Sequence, residues 1–195
     1  MNATIICLGD SITFGYPWGP ESSWVSHLQR RTGLNLINDG INGDTTFDML
    51  RRFERNILHL KATHLHILGG ANDAWQGLDI AAAQHNIQRI VELARQKGIV
   101  PVLGLATPLC KNPSQGGTFI PFGMEAMESW LACYREWMRD YAGGAGIVLI
   151  DYYAPLCVPG TGRGDGHFFY DECHLNQTGY MLMAEVAEKA LDKWL

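Results

Sequence analysis

The sequence predicts an α/β protein: a three-layer α/β/α sandwich built around a five-stranded parallel sheet. Five short apolar runs rich in Ile, Leu and Val, most of them followed by Gly, Asp or Asn, are typical of buried strands. Longer segments with apolar residues at helical spacing lie between these runs. This alternation of strand and helix favours parallel strands with helices on both faces of the sheet.

The strands and helices are assigned as follows. The predicted strands are Thr4–Leu8, Leu34–Asn38, His64–Leu68, Val100–Leu105 and Ile147–Ile150. The predicted helices are Ser22–Arg31, Thr45–His59, Ile80–Lys97, Glu125–Tyr141 and Gln177–Leu195. Two long irregular segments, Thr107–Met124 and Tyr152–Asn176, follow predicted strands. Because sites in parallel sheets form beyond the carboxyl ends of the strands, we expect these segments to shape a substrate pocket.

Composition narrows the class of protein. A chain of 195 residues with 47% hydrophobic and 18% charged residues is predicted to form one domain over residues 1–195. Its net charge of −5 argues against nucleic acid or an anionic membrane surface as partner, because binding either needs a basic patch. The densest basic cluster, Arg51, Arg52 and Arg55, is interpreted as the solvent-facing side of a helix.

Cysteine usage and the N-terminus bear on the compartment. The five cysteines are odd in number, widely spaced and without a CxxC pair, which argues against a disulfide framework or a structural zinc site. No signal peptide is recognisable, and no apolar stretch approaches the ~18 residues of a membrane span. We expect a cytoplasmic protein with no integral membrane segment. The sequence does not indicate an oligomeric state.

The first polar motif is Gly9-Asp10-Ser11, where the first strand ends. A serine at this place can present its hydroxyl at the sheet edge. The motif is not the GxSxG elbow, because Thr13 stands where the second glycine would be. A turn that caps the next helix explains these residues equally well.

Polar residues also follow the second and third strands. The glycine-containing segment Asn38–Thr46 can direct backbone N–H groups to one point, as an oxyanion requires, or it can be a loop that caps a helix. After the third strand, Asn72 can donate a hydrogen bond into the cleft, and Asp73 can tie the loop down. An Asx turn is the alternative for this pair.

The last long segment contains Asp171 and His174. A carboxylate three residues before a histidine can reach the imidazole, fix its tautomer and stabilise its protonated form. A single histidine is more often structural. The four segments together nevertheless provide a nucleophile, two donors and an acid–base pair, a combination that chance explains poorly.

These motifs resemble those of the SGNH hydrolases, the GDSL-like lipase/acylhydrolase family, over the full length of the chain. The matching segments are Gly9-Asp10-Ser11, Asn38-x-Gly40-x-x-Gly43-x-Thr45, Gly70-x-Asn72-Asp73 and Asp171-x-x-His174. The resemblance implies a flavodoxin-like fold, with Ser11 as nucleophile, His174 as general base and acid, and Asp171 as its orienting partner. It also implies an oxyanion hole formed by the N–H groups of Ser11 and Gly43 and the amide of Asn72. No metal or organic cofactor is required.

Two other residue patterns in the sequence suggest different chemistries. His64 and His66 lie on one face of a strand and suggest a metal site, although no nearby pair of carboxylates completes it. Cys173 adjoins His174 but is interpreted as a packing residue, because neighbouring side chains point in different directions. A non-catalytic binding module on the same fold is the remaining alternative.

The substrate is predicted only as a class. We expect a small-molecule carboxylic ester with a short-to-medium acyl chain, because the pocket-forming segments are modest in length. A carbohydrate-ester deacetylase is the alternative, followed by a thioesterase or lysophospholipase. The apolar segment Thr118–Met124 is either a flap over the pocket or a lead-in to the next helix. Trp18 and Trp75 are candidates to line the cleft, whereas Trp24 is expected in the core.

Overall fold

The computed structural model describes residues 3–56 and 61–193, and its centre is a five-stranded parallel sheet. The strands are β1 (Thr4–Gly9), β2 (Asn35–Gly40), β3 (His64–Leu68), β4 (Val100–Leu105) and β5 (Val148–Asp151). They pair in the order β2-β1-β3-β4-β5, every pair parallel. The predicted fold class is confirmed, and the strand ends differ from prediction by at most two residues.

Helices flank the sheet in the order expected. They are α1 (Ser11–Phe14), α2 (Trp24–Thr32), α3 (Thr46–Asn56), α4 (Ala71–Trp75), α5 (Ile80–Gln96), α6 (Met124–Ala145) and α7 (Gln177–Lys189). The one-turn helices α1 and α4 were not predicted, because four or five residues are too few to show a 3.6-residue period. Residues 57–59 of the second predicted helix and 194–195 of the last lie outside the described residues. The last helix was predicted too long, because α7 ends at Lys189 and a short 3-10 helix follows at Leu191–Lys193.

The ends of α2 and α6 differ from prediction for local reasons. Helix α2 begins after Ser23, whose side chain accepts a hydrogen bond from the N–H of Ser26. Helix α6 continues past the predicted end at Tyr141 and stops at Gly146, which has a positive φ of 61°. The last turn contains two glycines that give no apolar signal, so its extent was underestimated.

The sheet has a hydrophobic core on each face. Ile5 and Cys7 point to the face covered by α2 and α7, whereas Ile6 and Leu8 point to the face covered by α3, α5 and α6. This division follows from the alternation of side chains along a strand. Trp24 is fully buried in the first core, as predicted. Within the described ranges, no helix is long and apolar enough to cross a bilayer.

The strand order places a crevice at the carboxyl ends of β1 and β3. Strand β2 pairs with one edge of β1, and β3 pairs with the opposite edge of β1. Such a reversal of strand order is where ligands bind in open α/β sheets. Ser11 follows β1 and Asn72 follows β3, so both stand at this reversal.

Two glycines let the chain pass closely over the sheet at this point. A Cβ at Gly40 would lie 2.2 Å from the backbone N of Phe14, and one at Gly9 would lie 2.2 Å from Oγ1 of Thr13. Asn38 reinforces the contact, because its Nδ2 donates to the carbonyl of Thr13 at 2.8 Å. Helix α1 therefore rests directly on the ends of β1 and β2.

Gly40→Ala is expected to lower the free energy of unfolding by about 3 kcal/mol, because the added methyl group meets backbone that cannot move independently. The matched control is Gly144→Ala within α6, where an added Cβ meets nothing within 4 Å. Its stability should be unchanged or raised by up to about 1 kcal/mol. Urea unfolding of both variants measures the difference, and equal stabilities would contradict the close packing of α1 on β2.

Candidate active site

Ser11 begins helix α1 at the end of β1. Asp10 caps this helix, because its Oδ1 accepts a hydrogen bond of 2.9 Å from the N–H of Ile12. The cap fixes the first turn, and with it the direction of the Ser11 side chain. Ser11 is 8% exposed and lines the cavity in front of it.

Ser11, His174 and Asp171 form a continuous hydrogen-bonded array. The Oγ of Ser11 lies 3.0 Å from Nε2 of His174. On the other side of the imidazole, Nδ1 lies 2.8 Å from Oδ2 of Asp171 and 3.0 Å from Oδ1. Because an ionised carboxylate only accepts hydrogen bonds, Nδ1 carries the proton and Nε2 is left to accept one from Ser11.

The environment of Asp171 keeps its carboxyl ionised. Burial raises the pKa of Asp171, but the hydrogen bond and charge of His174 oppose this. The backbone N–H groups of Cys173 and His174 also donate to Oδ1, at 2.9 and 2.7 Å. The net result is a pKa below the usual value, so a negative charge lies beside the imidazole at neutral pH.

Gly43 and Asn72 lie beside Ser11 on the wall of one cavity of about 450 Å³. Gly43 has a positive φ of 86°, a conformation that favours glycine. The amide of Asn72 is oriented by a 2.9 Å hydrogen bond from its Nδ2 to the carbonyl of Asp44. An amide nitrogen has two protons, so one remains to donate elsewhere. The structure thus brings every residue of the predicted site together.

The rest of this cavity is mainly apolar. Its lining includes Ile12, Ala71, Trp75, Phe119 and Met127. The segment before α6 forms part of the wall, so it is a pocket element rather than only a helix lead-in. Trp75 lines the cavity, whereas Trp18 stands outside it and packs edge-to-face on another ring.

The wall segment before α6, residues 117–119, is fixed by hydrogen bonds to its backbone. Both oxygens of the Glu172 carboxylate accept hydrogen bonds, from the N–H of Gly117 at 3.1 Å and of Thr118 at 2.8 Å. The indole Nε1 of Trp75 donates to the carbonyl of Phe119 at 2.7 Å. Phe119 itself is 75% exposed. The pocket wall is therefore attached both to the loop that carries His174 and to α4.

Arg52 has a different place from the one predicted. Instead of facing solvent, its side chain is only 15% exposed, and its guanidinium pairs with Asp39 at 2.7 Å and Asp44 at 2.6 Å. It also donates to the carbonyl of Gly9 at 3.2 Å. Its partners lie on β1, on β2 and before α3, and only the folded sheet brings them together. Arg51 and Arg55 are exposed, as predicted.

Asp73 ties the third loop to the second. Its carboxylate accepts hydrogen bonds from the N–H of Thr46 at 2.9 Å and from the Thr46 hydroxyl at 2.7 Å. Asn86 on α5 donates in turn to the Thr46 hydroxyl at 3.1 Å. The start of α3 and the start of α4 are thereby fixed to each other, which sets the spacing between Gly43 and Asn72.

His66 and Cys173, which suggested a metal site and a cysteine nucleophile, lie in environments that favour packing roles. His66 is fully buried against Trp24, and its Nε2 lies 3.1 Å from the hydroxyl of Tyr152. Burial lowers the pKa of His66 to about 3. Within residues 3–56 and 61–193, no three His, Cys, Asp or Glu side chains are grouped to hold a metal ion. Burial, with the charges of Asp171 and Glu172, raises the pKa of Cys173 to about 12, so its thiol is a poor nucleophile.

Comparisons of sequence and of fold relate this chain to known proteins. The model of the GDSL-like Lipase/Acylhydrolase family matches residues 7–182. Esterase TesA of Pseudomonas aeruginosa is 26% identical over 163 residues, which cover 78% of this chain and 79% of that protein. The lipoprotein YqeF of Bacillus subtilis is 29% identical over 170 residues, which cover 75% and 69%. A solved GDSL-family lipolytic protein of Desulfitobacterium hafniense superposes with a TM-score of 0.83 at 26% identity, covering 96% of this chain and 99% of that one.

The fold and the site together define a class: an α/β protein with a Ser–His–Asp array at the carboxyl edge of a parallel sheet. The family match covers most of the chain. The chain belongs to the GDSL-like lipase/acylhydrolase family, and membership supports an ester hydrolase.

Asp10 gives the site a pH-dependent stability. Burial raises the pKa of the Asp10 carboxyl to about 6, above the ~3.9 of an unfolded aspartate. The folded state binds more protons between these values, so wild-type stability falls as the pH rises from about 4 to about 6. Asn keeps the helix cap without titrating. The unfolding free energy of Asp10→Asn relative to wild type should therefore rise across this window in urea titrations.

Asp171→Asn is the matched comparison, and its stability relative to wild type should change with pH in the opposite direction. Because the pKa of Asp171 is lowered, the wild-type protein holds its advantage over this variant above about pH 4 and loses it as the pH falls further. If the two variants show the same slope against pH, the assignment of these two carboxylates is wrong.

Proposed function

We propose that this chain is a serine esterase that cleaves small carboxylic esters through an acyl intermediate on Ser11. The observation that carries the proposal is the array Ser11–His174–Asp171, with 3.0 Å between Oγ and Nε2 and 2.8 Å between Nδ1 and Oδ2. The array opens on a cavity with apolar walls. These are the parts that acyl transfer to a serine requires.

In the first half-reaction, Oγ of Ser11 attacks the carbonyl carbon of the ester and its proton passes to Nε2 of His174. A C–O bond forms, and the carbonyl oxygen becomes an oxyanion. When the tetrahedral intermediate collapses, the bond to the alcohol oxygen breaks and His174 returns the proton to that oxygen. The alcohol leaves, and the acyl group remains on Ser11.

In the second half-reaction, water takes the place of the alcohol. His174 accepts a proton from water, whose oxygen attacks the acyl carbon and forms a second oxyanion. Collapse breaks the bond to Oγ, and His174 gives the proton back to Ser11. The carboxylic acid departs, and the balance of the cycle is one ester and one water consumed for one acid and one alcohol.

The residues proposed to stabilise the oxyanion are Ser11 and Gly43, through their N–H groups, and Asn72, through its amide. Gly43 and Asn72 line the cavity with Ser11, and Asp44 fixes the orientation of the amide. Donors held in position before the reaction cost nothing to reorganise when charge develops. Losing one costs about 3–4 kcal/mol in related acyl-transfer enzymes.

The acyl group is proposed to lie against the apolar wall formed by Ile12, Trp75 and Met127. A cavity of about 450 Å³ is modest among small-molecule sites, which span roughly 300–1,000 Å³. This size supports short-to-medium acyl chains.

Ser11→Ala should reduce hydrolysis of p-nitrophenyl butyrate by about 10⁴-fold or more, because the acyl acceptor is absent. Ser129→Ala is the matched control, since this exposed hydroxyl on α6 only donates to the carbonyl of Glu125. A fluorophosphonate should add to wild-type protein at Ser11 and not to the variant, as read by peptide mass spectrometry. Wild-type turnover in Ser11→Ala with unchanged circular dichroism would refute the proposal.

A series of p-nitrophenyl esters tests the acyl size. We expect kcat/KM for acetate, butyrate and hexanoate to exceed that for decanoate and palmitate, because the longer chains outgrow the cavity. A steady rise up to palmitate would show that the acyl group lies elsewhere, while leaving the role of Ser11 intact.

A further inference from the structure

A second groove, of about 330 Å³, is lined by residues from the same loops as the cavity in front of Ser11. We call it the Trp18 groove and define it by Trp18, Gln115, Tyr170, Gln177 and Thr178. We infer that the Trp18 groove binds the alcohol part of the ester, and that this alcohol is a neutral carbohydrate. The inference rests on the proposed function, since it names the substrate class of the same reaction.

The groove and the cavity are built from the same segments. The segment after α1 gives Tyr16 to the cavity and Trp18 to the groove. The segment before α6 likewise gives Thr118 to one and Gln115 to the other. The loop that holds the array gives His174 to the cavity, and Tyr170, four residues earlier, to the groove.

Direct contacts join these segments to one another. The rings of Tyr16 and His174 pack with their centroids 4.6 Å apart, and those of Trp18 and Tyr170 are 5.6 Å apart. The N–H of Gln115 donates to the carbonyl of Tyr170 at 2.8 Å. The Trp18 groove therefore lies on the His174 side of the cavity.

This placement assigns the groove to the leaving group. His174 must return its proton to the alcohol oxygen, so the alcohol has to lie on the His174 side of the ester carbonyl. The acyl chain occupies the apolar cavity on the other side. A substrate bound in this way spans both spaces, with its ester bond at Ser11.

The chemistry of the lining selects a carbohydrate. Trp18 is 43% exposed and meets Tyr170 edge-to-face at 78°, so the two rings are not stacked and part of the indole surface stays uncovered. The C–H face of a sugar ring packs on such a surface. Gln115, Gln177 and Thr178 are exposed, and their amide and hydroxyl groups can donate to and accept from sugar hydroxyls.

The same lining disfavours other alcohols. All of the described residues that line the groove are uncharged, so nothing there would pair with a phosphate or other anionic headgroup. Amides and a hydroxyl at the surface offer little to a hydrocarbon chain. The two other polar residues there are engaged in the fold: Ser114 donates to the carbonyl of Phe169, and Asn176 caps α7.

The test compares two acetate esters that differ only in the alcohol: a mono-acetylated methyl glucopyranoside and ethyl acetate. Hydrolysis of both esters is measured by the release of acetate, and the readout is the ratio of their kcat/KM values. We expect wild-type protein to prefer the sugar ester and Trp18→Ala to lower the ratio about tenfold, the effect of ~1.4 kcal/mol of lost contact. Gln177→Ala should lower it in the same direction, and it serves if Trp18→Ala fails to fold.

Met181→Ala is the matched control, because this residue is 48% exposed on α7 and does not line the groove. Its ratio should equal that of wild type. No preference for the sugar ester in wild type, or an equal ratio in Met181→Ala and both groove variants, would overturn the inference. If the inference is overturned in this way but wild-type protein hydrolyses ethyl acetate and Ser11→Ala does not, the proposed function still stands. Absence of that hydrolysis, or its persistence in Ser11→Ala, would instead overturn the proposed function and this inference with it.

Discussion

The geometry of the site depends on the ion pairs and hydrogen bonds that the guanidinium of Arg52 makes. It joins the end of β1, through the carbonyl of Gly9, to Asp39 on β2 and to Asp44 beside Gly43. Burial raises the pKa values of both aspartates and Arg52 opposes the shift, so the charges are held in place by each other. Removing one partner of such a cluster leaves an uncompensated charge, which is why it specifies one arrangement of the loops.

Two aspartates near Ser11 have opposite environments. Asp10 is buried next to Ser11, and its pKa rises to about 6. Asp171 is also largely buried, but the imidazole and two N–H groups lower its pKa. One carboxyl therefore supports the backbone at a cost in stability, while the other supplies a fixed negative charge beside His174. The difference arises both from the deeper burial of Asp10 and from the larger number of hydrogen-bond donors around Asp171.

Much of the fold follows from local pattern. Buried parallel strands are short runs of apolar residues, so β3 and β4 were predicted with both ends correct. The one-turn helices α1 and α4 are too short to show a helical period. The role of Arg52 leaves no local pattern either, because its partners are far apart in the chain. That Arg52 turns inward while Arg51 and Arg55 face solvent depends on the pairing of β1 with β2, which no helical pattern contains.

The candidate site was predictable for a different reason. Ser11, Gly43 and Asn72 each follow a strand, and parallel strands end at one edge of a sheet, so topology brings these three together. The Asp171–His174 pair lies in the long irregular segment after β5, and it was predicted from its three-residue spacing and from the family resemblance. The Trp18 groove was not predictable in this way, because Gln115 and Tyr170 lie in irregular segments whose course is set by backbone contacts between loops.

The pocket wall before α6 is attached by main-chain groups: Glu172 holds the N–H groups of Gly117 and Thr118, and Trp75 holds the carbonyl of Phe119. Every amino acid except proline offers the same N–H and carbonyl. The side chains at 118 and 119 can therefore change during evolution without loosening the segment that carries them. Members of the family could therefore differ in the side chains that line the cavity at these two positions while the hydrogen-bonded array at Ser11 stays the same.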